Sequence, residues 1–235
     1  MGLFSRKKKN KQRNKAKARA SRKKNRDNLS LEEKHQIWIE RWGRDTYDPP
    51  WNMHTFPDNI KSLIDGGTIP SGAGIVDIGC GTGFLSAELS AMGHPVVGFD
   101  FAEPAIVKAK QKYGEESETL SFYTADATKP MPFKGTFRVG IDRGTFHTVP
   151  FVSRYDYVKS ISPLIETDGC LVILYALRIA KRLNTGKSDQ TGKIFRDHLE
   201  DLFAPDFVIE KFEETGIMKH SDEDEPAFLI VMRKK

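Results

Sequence analysis

Residues 74–84 read GIVDIGCGTGF, an apolar run holding one acid that ends in glycines at 79, 81 and 83. A chain gives up three side chains in five positions where its backbone must take positive φ or approach a ligand closely. The run before these glycines reads as a buried strand, and FLSAELSAMG after them reads as a helix. A strand–turn–helix unit of this kind places a binding site at the carboxyl end of its strand.

The same alternation continues along the chain. Strands are predicted over 74–79, 95–100, 120–127, 137–142 and 169–176, with helices over 84–93, 103–114 and 152–166 among them. Short Val- and Ile-rich runs alternating with helices predict an α/β fold, a doubly wound Rossmann-like parallel sheet with helices on both faces. Residues 178–195 read as a polar loop, and FRDHLEDLF as a helix. FVIEKFEE and AFLIVMR then lie too close together for a crossover helix, which predicts an antiparallel closing pair.

Three segments are expected. Residues 6–26 hold 13 of the 37 Lys and Arg and no acid, leaving 24 basic against 32 acidic residues elsewhere, a net of −8. Residues 1–28 are therefore read as a disordered basic tail on an acidic globule. Its readings are nucleic-acid or anionic-surface binding, a nuclear address, or plain solvation. Residues 29–57 form an N-terminal helix and aromatic segment, opened by a capping box of Ser30 and Glu33 and broken at Pro49-Pro50. Residues 58–235 are the main domain. No apolar run nears the roughly 20 residues that cross a bilayer. Cys80 and Cys170 have no paired spacing, so neither a metal cluster nor a disulfide framework is expected. A monomer in the cytoplasm is expected, with the nucleus left open by the tail.

The glycine turn alone suits two cofactor classes, dinucleotides and S-adenosylmethionine. The dinucleotide fingerprint needs a third glycine where Phe84 stands. Asp77, two residues before the first glycine, would repel a pyrophosphate but suits the cationic amino and sulfonium groups of S-adenosylmethionine. Asp100 closes the second predicted strand, where a carboxylate accepts from ribose hydroxyls. Asp126 closes the third and can accept from an adenine amino group, with Ala127 beside it. Each acid alone also reads as a turn or helix cap; together they mark one site.

VDIGCGTG, VVGFD, TADA and FRVGIDRG, in this order and spacing, resemble the motifs of class I S-adenosylmethionine-dependent methyltransferases. That resemblance implies a seven-stranded sheet, mostly parallel, with its last strand antiparallel. IWIERWGRDTYDPPWNMHTFP and the DRG at 142–144 are similar to the lid and post-strand segment of the thiopurine, thiol and halide methyltransferases. The likeness implies that Trp38, Trp42 and Trp51 close over the cofactor, with Trp51 also facing the substrate. It implies that Ile78 with Gly79, Gly81 and Gly83 lines the methionine end. Asp100 would line the ribose, Asp126 and Ala127 the adenine; Phe101 would also bind the cofactor, and Arg143 would sit near both cofactor and substrate. The tryptophans also suit ordinary packing of an N-terminal helix, but their position before the main domain favours the lid.

After strand four stands DRGTFHTVP, without the Pro-Pro-aromatic run of amino-directed base methyltransferases. No Pro-Cys nucleophile and no acidic metal trio occur. What remains is a small soft acceptor such as a thiol, hydrosulfide or halide, which needs little help from a base. Arg143 is a candidate to hold such an anion, or pairs with a nearby acid. His147 is a candidate base, or is structural. The alternatives carried are a methyltransferase acting on RNA or a nucleic-acid-associated protein through the tail, and a non-catalytic binding module.

Overall fold

The computed structural model describes residues 29–52, 54–115, 117–183, 191–217 and 225–235. The basic tail lies outside them. The chain divides into two compact units, 1–37 and 38–235.

Helix α1 (Leu31–Trp42) starts as the sequence predicts. The Ser30 amide donates to Glu33 Oε2 at 2.8 Å and the Glu33 amide to Ser30 Oγ at 3.1 Å, a reciprocal capping box. Helix α2 (Asp58–Asp65) precedes the sheet, whose strands and helices alternate as far as the third strand: β1 (Ile75–Ile78), α3 (Phe84–Ala91), β2 (Val96–Asp100), α4 (Glu103–Tyr113) and β3 (Leu120–Thr124), which a loop without a helix joins to β4 (Phe137–Arg143). Helix α5 (Arg154–Ile161), β5 (Ile165–Ala176), α6 (Leu177–Leu183), α7 (Thr191–Phe203), β6 (Phe207–Ile217) and β7 (Glu225–Lys234) complete the order.

The seven strands lie in the order β3-β2-β1-β4-β5-β7-β6. β1 pairs in parallel with β2 and β4, whereas β7 runs antiparallel to both β5 and β6. Successive side chains of β1 alternate between the two faces. Val76 and Ile78 pack in one apolar cluster, Ile75 in the other, so each face of the sheet carries its own core.

Two expectations are corrected. The span 152–166 is not one helix: a 3-10 turn at Phe151–Ser153 leads into α5, and a second at Ser162–Leu164 ends it. Pro163 has no amide hydrogen to continue the ladder. β5 then begins four residues earlier than predicted. Its pairing with β4 shifts between Phe137 and Val139, and Asp168 lies there at φ 59°. Nor is 178–195 a loop throughout. α6 occupies its start, anchored by the buried Ala180, and α7 begins at Thr191. α6 follows β5 without a break and spans only seven residues, too few turns to show a helical period; residues 184–190 are not described.

Candidate functional site

Register assembles the site. Ile78 pairs with Phe99 on one side and Asp142 on the other, so Gly79, Asp100 and Arg143, the next residues of three strands, lie side by side at the carboxyl edge. Asp100 pairs with Thr124, which places Asp126 two residues beyond on the same edge.

The glycine loop is pinned where it leaves β1. The amides of Gly79 and Cys80 both donate to the Phe99 carbonyl, at 2.8 and 2.9 Å. Gly79 sits at φ +71°, and a β-carbon there would come 1.7 Å from Thr145 Oγ1. The loop after β4 therefore presses directly on the glycine loop. Gly83 caps α3 in the left-handed conformation, and the Gly81 amide donates to Asp100 Oδ2 at 3.1 Å. Trp42 lies over Gly81, 3.6 Å from where its β-carbon would stand.

The acids divide by burial. Asp77 shares the face of Ile75 under α3, where Ser86 Oγ donates to its Oδ2 at 2.6 Å. Burial raises its pKa to about 6, with Ser86 and the Arg143 guanidinium pulling it back. Asp100 accepts from the Ala102 amide at 2.9 Å as well as from Gly81, yet burial still raises it to about 6. Asp126 closes a turn, accepting from the Thr128 amide at 2.9 Å and its hydroxyl at 2.7 Å. The turn-forming reading of Asp126 is thus realised, which leaves its second oxygen for Lys129 at 3.7 Å. Ile78 and Ala127 are buried in the core, so what they present at this edge is backbone.

The tryptophans form an aromatic segment beside the loop. Trp38 meets Trp51 edge to face at 5.7 Å, and the Arg41 guanidinium stands 5.0 Å from the Trp38 ring. Trp42 packs with Phe101, Ala102 and Ala105. Trp51 is 40% exposed, and Arg143 Nη1 donates to its carbonyl at 3.2 Å. Thr82 Oγ1 donates to Asn52 Oδ1 at 2.9 Å, a second tie between this segment and the glycine loop. Sequence reasoning missed Asn52 and Thr82, since neither type carries a signal of its own.

His147 takes a structural partner: its Nδ1 accepts from the Ala176 amide at 3.4 Å. Burial, then the charges of Arg178, Arg154 and Arg143, lower its pKa to about 4, so it is neutral at pH 7. Asp142, also missed, is fully buried, and the amides of Gly144, Thr145 and Phe146 and the Tyr157 hydroxyl all donate to it. It holds the loop that abuts Gly79. Among the described residues no three His, Cys, Asp or Glu side chains are placed to share a metal ion, and no helix is long and apolar enough to cross a membrane.

The pattern of a methyltransferase domain matches residues 75–169, from β1 into β5. An uncharacterized methyltransferase of Schizosaccharomyces pombe is 31% identical over 99 residues, which are 42% of this chain and 68% of that one. The chain belongs to the class I S-adenosylmethionine-dependent methyltransferases. This methyltransferase is also 29% identical to thiocyanate methyltransferase 1 of Arabidopsis thaliana over 139 residues, 58% of the chain and 60% of the relative. In fold it is similar to the N-methyltransferase NodS of Bradyrhizobium japonicum WM9, solved with S-adenosyl-L-homocysteine. The TM-score is 0.62 at 15% identity, covering 86% of this chain and 98% of that one.

The site fits S-adenosylmethionine, the methyltransferase's cofactor. A β-carbon at Gly79 would collide with Thr145, so the close-approach backbone is a built feature of this edge. Two buried carboxyls raised to about 6 hold an electrostatic cost that a cationic ligand relieves.

Proposed function

We propose that the methyltransferase acts on a small soft nucleophile, a thiol or a related anion. One observation carries this reading: a cation stands at the carboxyl edge, and the two groups beside it in sequence that could take a proton, Asp142 and His147, are committed to structural hydrogen bonds. Arg143 is that cation. His147 needs a pH near 4 to take a proton, and the Asp142 carboxyl is fully buried and turned to the amides of its own loop and the Tyr157 hydroxyl. Such a site suits an acceptor that arrives already ionised and needs orientation rather than deprotonation. The Arabidopsis relative, named for thiocyanate, supports the same acceptor class.

Bound S-adenosylmethionine supplies a methyl group already activated as a sulfonium. The chain's own residues bind and align. The glycine loop, with Ile78, approaches the methionine end, Asp77 and Asp100 set a negative potential for its charges, and Asp100 with Phe101 takes the ribose. Asp126 and Ala127 take the adenine. Trp38, Trp42 and Trp51 exclude water and offer ring faces to a cation. Arg143, tied to the Trp51 carbonyl, holds the anionic acceptor under that cover.

The test offers purified protein labelled S-adenosylmethionine with thiophenol, hydrosulfide, thiocyanate, iodide, phenol or total RNA. Label is expected in the small sulfur or halide products, at least roughly tenfold faster than in the phenol ether, and unchanged when residues 1–26 are removed. Label chiefly in RNA, or a phenol ether formed as fast as the thioether, would overturn the reading.

A pH dependence follows from the two acids. A cationic ligand binds their ionised forms, and in the free protein both carboxyls take up protons as pH falls through about 6. Affinity for S-adenosylmethionine should therefore hold from pH 8 to 7 and drop by about tenfold or more between pH 7 and 5. Calorimetric titration at each pH checks this, and a flat profile would remove both acids from the binding electrostatics.

A further inference from the structure

Arg154 opens helix α5 and is only 4% exposed, yet no carboxylate pairs with it among the described residues. Its Nη2 donates to Tyr175 Oη at 2.7 Å and its Nη1 to His198 Nε2 at 3.3 Å, while Nε is buried with no acceptor. Three rings surround the guanidinium: Phe146 at 4.9 Å, and Phe151 and Tyr175 at 5.7 Å each. Ring faces offset part of the cost of burying a charge, but less than a counter-ion does. A buried, fork-shaped cation that has neutral acceptors on two arms and none on the third is built to receive an anion.

Its position ties it to the methyl-transfer site. Phe146, under the guanidinium, directly follows Thr145, the residue that abuts Gly79. Tyr175 lies near the carboxyl end of β5, beside the strand that delivers Arg143. The nearby Glu225 carboxylate is held by Arg178 at 2.7 Å. Outside the guanidinium, Phe151 stacks on His198 with centroids 5.0 Å apart. Phe151, Val152 and Tyr155 are 63%, 86% and 67% exposed, an apolar rim beside a buried cation. We propose that Arg154, with Tyr175 and His198, seats a carboxylate on an aromatic methyl acceptor, whose apolar body rests on the Phe151–Tyr155 rim. This specificity site rests on the small-acceptor reading above and narrows it: the substrate is an aromatic acid carrying the soft nucleophile.

The experiment measures binding and turnover together. With S-adenosylhomocysteine present, benzoate should bind wild-type protein roughly tenfold or more tighter than benzyl alcohol, and Arg154→Met should erase that difference. Labelled methyl transfer to thiosalicylate should exceed that to thiophenol by a similar factor in kcat/KM, and the ratio should fall toward one in Arg154→Met. If Arg154→Met melts far below wild type, Arg154→Lys keeps the charge without the fork and should still lose most of the preference. Equal binding of benzoate and benzyl alcohol to wild type, or a variant that weakens both probes alike, overturns the proposal. Thiol methylation without carboxylate preference would sink this site alone. Arg154-dependent benzoate binding with no thiol methylated would keep it and sink the soft-acceptor reading.

Discussion

Gly79→Ala should lower affinity for S-adenosylmethionine by at least roughly a hundredfold, with the protein still folded. Two independent costs act at this position. A β-carbon at φ +71° costs about 1–2 kcal/mol wherever it occurs. The larger cost is contact: the new carbon would stand 1.7 Å from Thr145 Oγ1 and 2.8 Å from Thr145 Cβ, so one of the two loops must move. Gly79 cannot retreat, because its amide is bonded to the Phe99 carbonyl. A loop displaced from its ligand loses contacts worth about 1.4 kcal/mol for each tenfold in affinity. Adding Thr145→Gly to the variant should recover most of the contact cost but not the backbone cost. Gly81→Ala makes the contrast, because its β-carbon would meet only Trp42 at an ordinary 3.6 Å. Calorimetric titration of the three variants ranks them. A Gly79→Ala protein that binds as well as wild type would dismiss the glycine loop as the cradle.

That contrast shows what could be read from the sequence. The carboxyl edge of the sheet, with Gly79, Asp100, Asp126 and Arg143 along it, was legible because each residue falls at or beside the end of a predicted strand. The closing antiparallel pair was legible from the short gap between two β-rich runs. What opposes these residues was not legible. Thr145 against Gly79, Ser86 against Asp77 and Asn52 against Thr82 are pairings across 66, 9 and 30 positions, set by packing rather than by local pattern. Helix α6 was hidden for a different reason: it continues directly from β5 and its seven residues give too few turns to show a helical period. His147 stayed open between a base and a structural residue because residue type alone says nothing about the Ala176 amide that occupies its nitrogen.

The second large effect is expected at Asp142, whose loss should destabilise the protein by about 3–5 kcal/mol. In Asp142→Ala the amides of Gly144, Thr145 and Phe146 and the Tyr157 hydroxyl all lose an acceptor that is itself fully buried. Each stranded donor costs about 1–3 kcal/mol, moderated where the loop can turn to water. Tyr157→Phe removes one of the four and should cost about 1–2 kcal/mol. Asp142→Asn should fall between them. Its amide oxygen can still accept from the Gly144 and Thr145 amides, but its nitrogen faces the Phe146 amide, donor against donor, while the Tyr157 oxygen can accept instead. The pH dependence separates charge from packing. Burial raises Asp142 to about 7 from an unfolded value of 3.8, so between these values the folded state binds the extra proton. Unfolding free energy then falls as pH rises. This contribution is complete below about pH 4 and lost as pH rises through about 7, so thermal midpoints of wild type should climb on acidification from pH 8 to 6. Asp77 and Asp100, both near 6, act in the same direction at lower pH. Asp142→Asn has no proton to gain, so its midpoint should change less over that window. If variant and wild type keep parallel pH profiles, Asp142 is not the group that titrates. The loop pressed against Gly79 would then be held by hydrogen bonds whose strength does not change with protonation.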